Sequence, residues 1–138
     1  MNDLDILTLK HQGYCCSQIM VILTLDLGDR KNEDLVAFSR GLCMGSGMDT
    51  GPCGILTAGM GILALFAKTD TDRLALMQES FLGFFRELSP TGVGCKEITG
   101  DYFPAPHPET CGRFLSSSFS RLMAILSENG FDPADPPS

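Results

Sequence analysis

The sequence predicts an all-α protein: a single-domain helical bundle of about five or six helices with a glycine-rich loop. Apolar residues recur every three or four positions along most of the chain, as in the series Leu74, Met77, Phe81, Phe84 and Leu88. No segment alternates apolar and polar residues over the length of a useful strand. The 138 residues, 43% of them hydrophobic, are enough for one core without disulfide bonds to hold it together.

The first half of the chain contains three predicted helices and then the loop. A short helix over about residues 3–12 begins at a polar cap. A second helix covers residues 16–27 and stops at Gly28. Asn32 is the predicted N-cap of the third helix, whose first turn is acidic and therefore suits the helix dipole. The glycine-rich loop spans residues 41–54.

The second half contains two long helices, a single helical turn and a last amphipathic helix. The first long helix covers about residues 53–68, the second begins at a cap within residues 69–71 and ends at residues 89–90, and one helical turn covers residues 95–100. Closely spaced prolines then exclude regular structure until the last helix, over residues 111–129. The predicted domain covers residues 1–130, and the proline-rich residues 131–138 form a tail that is predicted to be disordered.

Charge and hydropathy restrict the partners and the compartment. The net charge of −7 and the pI near 4.6 exclude nucleic acid and anionic membrane surfaces, which both require basic patches. No segment has the pattern of a signal peptide, and no apolar stretch is long enough to form a membrane span. We therefore expect a cytoplasmic protein whose thiols are kept reduced, so that cysteines serve as metal ligands or redox groups.

Four of the six cysteines lie where helices are predicted to begin. A helix N-terminus carries a partial positive charge and free N–H groups, which favour the thiolate that binds metals and exchanges disulfides. These residues are Cys16, Cys53, Cys95 and Cys111. Together they suit an iron–sulfur cluster or zinc, whereas two pairs, such as Cys16 with Cys53 or Cys95 with Cys111, suit reversible disulfide chemistry. No CxxC motif is present to choose between these alternatives.

Other residues are secondary candidates for the same site. Cys15 is predicted to pack or to act as a resolving thiol, and Cys43 to pack or to face the glycine loop. His107 lies in the proline loop, where it is either a solvated side chain or a ligand or base. Three glycines, which let backbone approach a cofactor closely, are the predicted cofactor-binding positions: Gly51, Gly54 and Gly59.

The order of these motifs resembles a known family. GYCCSQ at residues 13–18, GPCGILTAG at residues 51–59, CKEITG at residues 95–100 and Cys111 before an amphipathic helix are similar to the putative redox-active proteins with four cysteines and a C-G-A-x-x-G motif. The resemblance covers nearly the whole chain. In the central motif Ile55 stands where alanine is expected, and Ala58 stands where glycine is expected.

The resemblance implies a function without a defined reaction, so whether the protein is an enzyme stays open. It implies that the four helix-start cysteines are redox thiols or ligands of an iron–sulfur cluster or another metal, and that the partner is an oxidoreductase or a transporter-associated protein. The alternative is a non-catalytic protein that holds structural zinc, or a helical interaction module, that partners an oxidoreductase. A homodimer also suits a short helical chain with a glycine-rich helix face.

Overall fold

The computed structural model describes residues 3–136, and the side chains of residues 5–136. Its α-helices are α1 Asp3–His11, α2 Cys16–Leu27, α3 Glu33–Ser39, α4 Gly54–Ala67, α5 Thr71–Leu88, α6 Cys95–Thr99 and α7 Thr110–Glu128. This part of the chain contains no strand, so the all-α prediction is confirmed, with seven helices rather than five or six. No helix in it is long and apolar enough to cross a membrane.

The glycine-rich loop contains short irregular turns rather than extended chain. The 3-10 helix Arg40–Leu42 continues α3, and the four-residue helical turn Cys43–Ser46 follows it. Met44 and Gly45 have left-handed φ angles of 55° and 65° within that turn. A second 3-10 helix, Gly100–Tyr102, continues α6 in the same way. These turns hold the loop residues against the helices that carry the cysteines.

Helix α4 is the centre of the bundle, in contact with α2, α5 and α7. Its side chains are buried on several faces, with Ile62 and Leu63 at 1% and 0% exposure. Gly59 lies against the ring of Phe81, where a Cβ atom would overlap the ring. The missing side chain therefore lets Phe81 of α5 pack closely against α4. The packing gained outweighs the low helix propensity of glycine.

Polar residues begin two of the helices as the sequence indicates. Asn32 caps α3, since its Oδ1 accepts a hydrogen bond of 3.0 Å from the Leu35 N–H. Asp70 caps α5 through a 3.1 Å bond from the Arg73 N–H. Each cap satisfies an N–H group that would otherwise lack a partner at the helix end.

The residues after α7 lie against the bundle. Phe131, just beyond the predicted domain boundary, packs edge-to-face on Phe66 with ring centroids 6.0 Å apart. The Arg73 guanidinium lies 5.4 Å from the Phe131 ring centroid, and Pro136 lies beside Gly28. Phe131 is thus an aromatic contact between the bundle and the segment 131–138, whose disorder stays a prediction. Residues 137–138 lie outside the described residues.

Candidate functional site

All six cysteines line a single cavity of about 330 Å³, at the end of the bundle where α2, α4, α6 and α7 begin. The four cysteines at helix starts occupy the predicted positions: two are the first residues of α2 and α6, one caps α4, and one is in the first turn of α7. The cysteines are Cys15, Cys16, Cys43, Cys53, Cys95 and Cys111.

A short backbone pairing places Cys53 beside Cys95. Pro52 and Gly94 form an isolated antiparallel bridge. The Cys53 N–H donates to the Val93 carbonyl at 2.8 Å, and the Cys95 N–H donates to the Gly51 carbonyl at 3.1 Å. Helices α4 and α6 therefore begin from the same bridge, although their cysteines are far apart in sequence.

Two glycines bring the irregular loop against the start of α4. Gly51 touches the backbone of Gly45, and no space is left there for a Cβ atom. A Cβ atom on Gly54 would lie 2.7 Å from the Leu42 carbonyl oxygen and 3.0 Å from Ser17 Oγ. Glycine at residue 54 thus leaves room for both the loop backbone and a buried hydroxyl group at the cavity.

Cys15 and Cys43, the two secondary cysteines, form a disulfide with their Cα atoms 6.3 Å apart. The sequence predicted packing as one alternative for each residue, and it did not indicate that the two residues are joined to each other. Ser17 is fully buried, and its Oγ lies 2.7 Å from Cys43 Sγ and 3.6 Å from Cys15 Sγ. Because disulfide sulfurs carry no hydrogen, the Ser17 hydroxyl is the donor in these contacts.

Cys16 and Cys111 also line the cavity, and a hydrogen bond between their side chains is the largest cause of the change in the pKa of each. This bond from Cys16, together with the His107 N–H and the charge of Lys10, lowers the pKa of Cys111 to about 6. The same bond, with burial, raises the pKa of Cys16 well above its usual range. The pair therefore holds one proton on Cys16 and a negative charge on Cys111, stabilised further by the N-terminus of α7.

Burial determines the ionisation of the other two free cysteines. Desolvation raises the pKa of Cys53 to about 12, although the Ile55 and Leu56 N–H groups donate to its sulfur. Desolvation also raises the pKa of Cys95, with a further contribution from the charge of Cys111. At Cys111 the pKa is lowered, the direction that a helix start favours, whereas at Cys16, Cys53 and Cys95 it is raised.

His107 is partly exposed and contacts the first turn of α7. Its Nδ1 accepts hydrogen bonds from the N–H groups of Glu109 and Thr110, at 3.2 and 3.1 Å. An Nδ1 that accepts two N–H bonds carries no proton, so the neutral ring has its hydrogen on Nε2. The ring also lies 4.8 Å from Tyr102, centroid to centroid. His107 thus positions the first turn of α7, which carries Cys111, and is not among the residues lining the cysteine cavity.

The three predicted cofactor-binding glycines have different surroundings. Gly54 lines the cavity, Gly51 contributes its carbonyl to the bridge, and Gly59 lies against Phe81 in the core. The N–H donors near Cys53 also differ from the expected ones, because the Cys53 N–H is already bound to Val93 and the groups that reach its sulfur belong to Ile55 and Leu56.

The donor arrangement does not fit a metal ion. Among the described side chains, those of residues 5–136, no three His, Cys, Asp or Glu groups are placed to hold one metal. Two of the six cysteine sulfurs are joined to each other, and a third is hydrogen-bonded to a fourth. The grouping is by pairs, which is the arrangement that disulfide chemistry requires.

Two residues of the site were not found from the sequence. Lys10 lines the cavity from α1, and its charge lowers the pKa of both Cys16 and Cys111. Ser17 contacts the disulfide from within α2. Ser17 follows Cys16 directly and was therefore available as a candidate, whereas no motif marks Lys10, which reaches the cavity only because α1 packs on α7.

The comparisons with known proteins agree with the cysteine pattern. A family model described as "Putative redox-active protein (C_GCAxxG_C_C)" matches residues 14–125, a segment that includes all six cysteines. No curated protein matches the chain, and no solved structure matches it. The family model spans most of the chain, from the residue before the disulfide to the last helix. The chain therefore belongs to the C_GCAxxG_C_C family of putative redox-active proteins.

Proposed function

We propose that the protein performs thiol–disulfide exchange, with Cys16 and Cys111 as the exchanging thiols. The observation that carries this proposal is that Cys16 and Cys111, each at the start of a helix, line the same cavity as the Cys15–Cys43 disulfide. A thiolate is the attacking species in disulfide exchange, and a neighbouring thiol is needed to resolve the mixed disulfide that it forms. The pair supplies both groups.

The ionisation of the pair suits exchange near neutral pH. With a pKa of about 6, Cys111 is mostly thiolate at pH 7, whereas an ordinary thiol is mostly protonated. Its stability as a thiolate also makes it a good leaving group, so that a mixed disulfide at Cys111 is readily resolved. Cys16 keeps its proton until Cys111 has reacted, because the charge on Cys111 disfavours a second charge beside it.

The roles proposed for Cys53 and Cys95 are different. Both are buried and both have a raised pKa, so they stay as thiols under conditions in which Cys111 reacts. We propose that they line the cavity as a second pair of thiols, beside the backbone bridge, that is not the exchanging pair. The test below also detects the two alternatives expected from four clustered cysteines, an iron–sulfur cluster and a structural zinc site.

A redox partner is part of the proposal. Exchange at Cys111 consumes a thiol pair, and another thiol protein has to restore it, which suits an oxidoreductase as the partner. A cytoplasmic location also belongs to the proposal, with the Cys15–Cys43 disulfide then being a transient redox state rather than a permanent cross-link.

The test is a redox titration of protein purified without oxygen, together with elemental analysis of its metal content. The protein is equilibrated in glutathione buffers of different ratios, quenched with acid, alkylated and mapped by mass spectrometry. We expect a Cys16–Cys111 disulfide to form with a two-electron dependence on the buffer potential, in protein without stoichiometric metal.

Matched variants separate this proposal from a metal site. Cys53→Ser and Cys95→Ser are expected to retain the Cys16–Cys111 transition, and Cys16→Ser and Cys111→Ser to lose it. Stoichiometric iron or zinc that is lost on changing any one of the four residues would instead establish a four-ligand site and contradict the exchange proposal.

A further inference from the structure

The two cysteine pairs share a cavity and a helix start. Cys15 and Cys16 are adjacent, and they belong to different pairs: Cys15 is bound to Cys43, and Cys16 is hydrogen-bonded to Cys111. All four residues line the same cavity. The reduced pair and the oxidised pair therefore open on the same cavity.

We propose that these two pairs pass one disulfide between them, and that the Ser17 hydroxyl stabilises the Cys43 thiolate during the exchange. The inference rests on the proposed function, because it requires Cys16 and Cys111 to be exchanging thiols. It adds a transfer within the protein. The Cys16–Cys111 pair reacts with the partner, and the Cys15–Cys43 pair stores the disulfide.

The first step breaks the Cys15–Cys43 bond. The Cys111 thiolate attacks Cys15 Sγ, a Cys15–Cys111 disulfide forms, and Cys43 leaves as a thiolate. Attack on Cys15 is favoured over attack on Cys43 because the Ser17 hydroxyl lies closer to the Cys43 sulfur, at 2.7 Å against 3.6 Å. The hydroxyl donates to the sulfur that takes up the negative charge.

The second step completes the transfer. The Cys16 proton passes to the Cys43 thiolate, and the resulting Cys16 thiolate attacks Cys111 Sγ and releases Cys15 as a thiolate. Attack on Cys15 is excluded because a disulfide between adjacent residues closes a strained ring. One negative charge is present throughout, the Cys15–Cys43 pair gains two electrons, and the Cys16–Cys111 pair loses two, so no external oxidant or reductant is needed.

Gly54 leaves the space that the Ser17 hydroxyl occupies. A side chain on Gly54 would come within 3.0 Å of the Ser17 oxygen, so only glycine leaves the hydroxyl free to reach the sulfur. Among the described side chains, Ser39 offers a matched comparison: it is also buried, at 2% exposure, but its hydroxyl donates to the Val36 carbonyl at 2.7 Å.

The exchange is tested in the reverse direction, which ends in the observed Cys15–Cys43 disulfide. Fully reduced protein receives one equivalent of diamide without oxygen, and samples are quenched with acid at intervals. Disulfides are then mapped by mass spectrometry, with fragmentation between residues 15 and 16 to distinguish the adjacent cysteines. We expect the Cys16–Cys111 disulfide first, followed by its conversion to Cys15–Cys43 at a rate independent of protein concentration.

Cysteine variants show whether the path is internal. In Cys111→Ser, formation of Cys15–Cys43 is expected to slow about tenfold or more, because the reactive thiolate is lost. In Cys43→Ser, the exchange should stop at a detectable Cys15–Cys111 disulfide. If Cys15–Cys43 forms equally fast in wild type and Cys111→Ser, and Cys43→Ser holds only Cys16–Cys111, the exchange is overturned while the proposed function stands. If Cys16–Cys111 forms under no condition, both fail.

The role of Ser17 has its own measurement. Conversion ends with attack by the Cys43 thiolate, so its rate follows the ionisation of Cys43. Ser17→Ala is expected to slow conversion about tenfold at pH 7 and to move the midpoint of the pH–rate profile upward by about one unit. Ser39→Ala should leave that midpoint unchanged. A Ser17→Ala variant that folds, as judged by circular dichroism, and keeps the wild-type midpoint would overturn the assignment to Ser17.

Discussion

Cys111 and Cys53 line the same cavity, and their ionisation differs completely. Each lies at the N-terminus of a long helix and receives backbone hydrogen bonds at its sulfur. The pKa of Cys111 is lowered to about 6, and that of Cys53 is raised to about 12. The difference lies in what else surrounds each sulfur.

The Cys111 side of the cavity has a donor and a cation that the Cys53 side lacks. Cys16 donates a hydrogen bond to Cys111, and Lys10 adds a positive charge, which together exceed the cost of burial. At Cys53, two helix N–H groups do not compensate for desolvation. The comparison teaches that a helix N-terminus by itself does not produce a thiolate in a buried site, whereas a helix N-terminus with a thiol partner does.

The largest expected effect comes from removing the disulfide beside the reactive pair. Cys15→Ser combined with Cys43→Ser opens a link between residues 28 apart in sequence. The cost to the free energy of unfolding is about 3–4 kcal/mol relative to the oxidised protein, because the unfolded chain regains freedom. Urea unfolding measures it. The fully reduced wild type is the control and should match the variant; a variant as stable as the oxidised protein would contradict the prediction.

Replacement of Gly54, the first residue of α4, is expected to have the next largest effect. Gly54→Ala forces a Cβ atom against the Leu42 carbonyl and Ser17 and should cost about 1–3 kcal/mol. Gly61→Ala is the matched control in the same helix, since nothing lies within 4 Å of its added atom. It should stabilise the protein by about 0.5–1 kcal/mol through helix propensity. Equal effects in urea unfolding would show that Gly54 has no special packing role.

The titration of the thiols distinguishes the two sides directly. Ultraviolet thiolate absorbance should show a transition near pH 6 that disappears in Cys111→Ser and persists in Cys53→Ser. Since the folded-state pKa of Cys111 lies below its ordinary value of 9.0, its contribution to stability is absent below about pH 6 and grows as the pH rises toward 9.0. The stability difference between reduced wild type and Cys111→Ser should therefore increase over that range. A constant difference would refute the assignment.

The smallest expected effect comes from removing the positive charge of Lys10, which lines the cavity. Lys10→Gln should raise the pKa of Cys111 by less than about one unit, since the charge of Lys10 acts alongside the larger effect of the Cys16 hydrogen bond. Lys31→Gln removes the same charge at a residue that lines a different groove, between α1, α2 and α3. The thiolate titration should move in the first variant and not in the second. Equal shifts would indicate a general effect of net charge.

Much of the fold was predictable because it depends on local patterns. The three- and four-residue spacing of apolar side chains located the long helices, and Asn32 marked a helix start that its side chain does cap. The packing of Phe131 on Phe66 was not predictable, because a single aromatic residue after the last helix has no periodic signal. The short left-handed turn at Met44 and Gly45 likewise had no signal beyond the abundance of glycine.

The sequence by itself determined the helices, the positions of four cysteines at helix starts and the family to which the chain belongs. Only the tertiary structure decided which sulfurs meet. The Cys15–Cys43 bond and the Cys16–Cys111 contact join residues far apart in the chain, and spacing carries no information on such pairs. Ionisation was decided at the same level, because the pKa of each thiol depends on desolvation and on neighbours that the folded chain alone brings together.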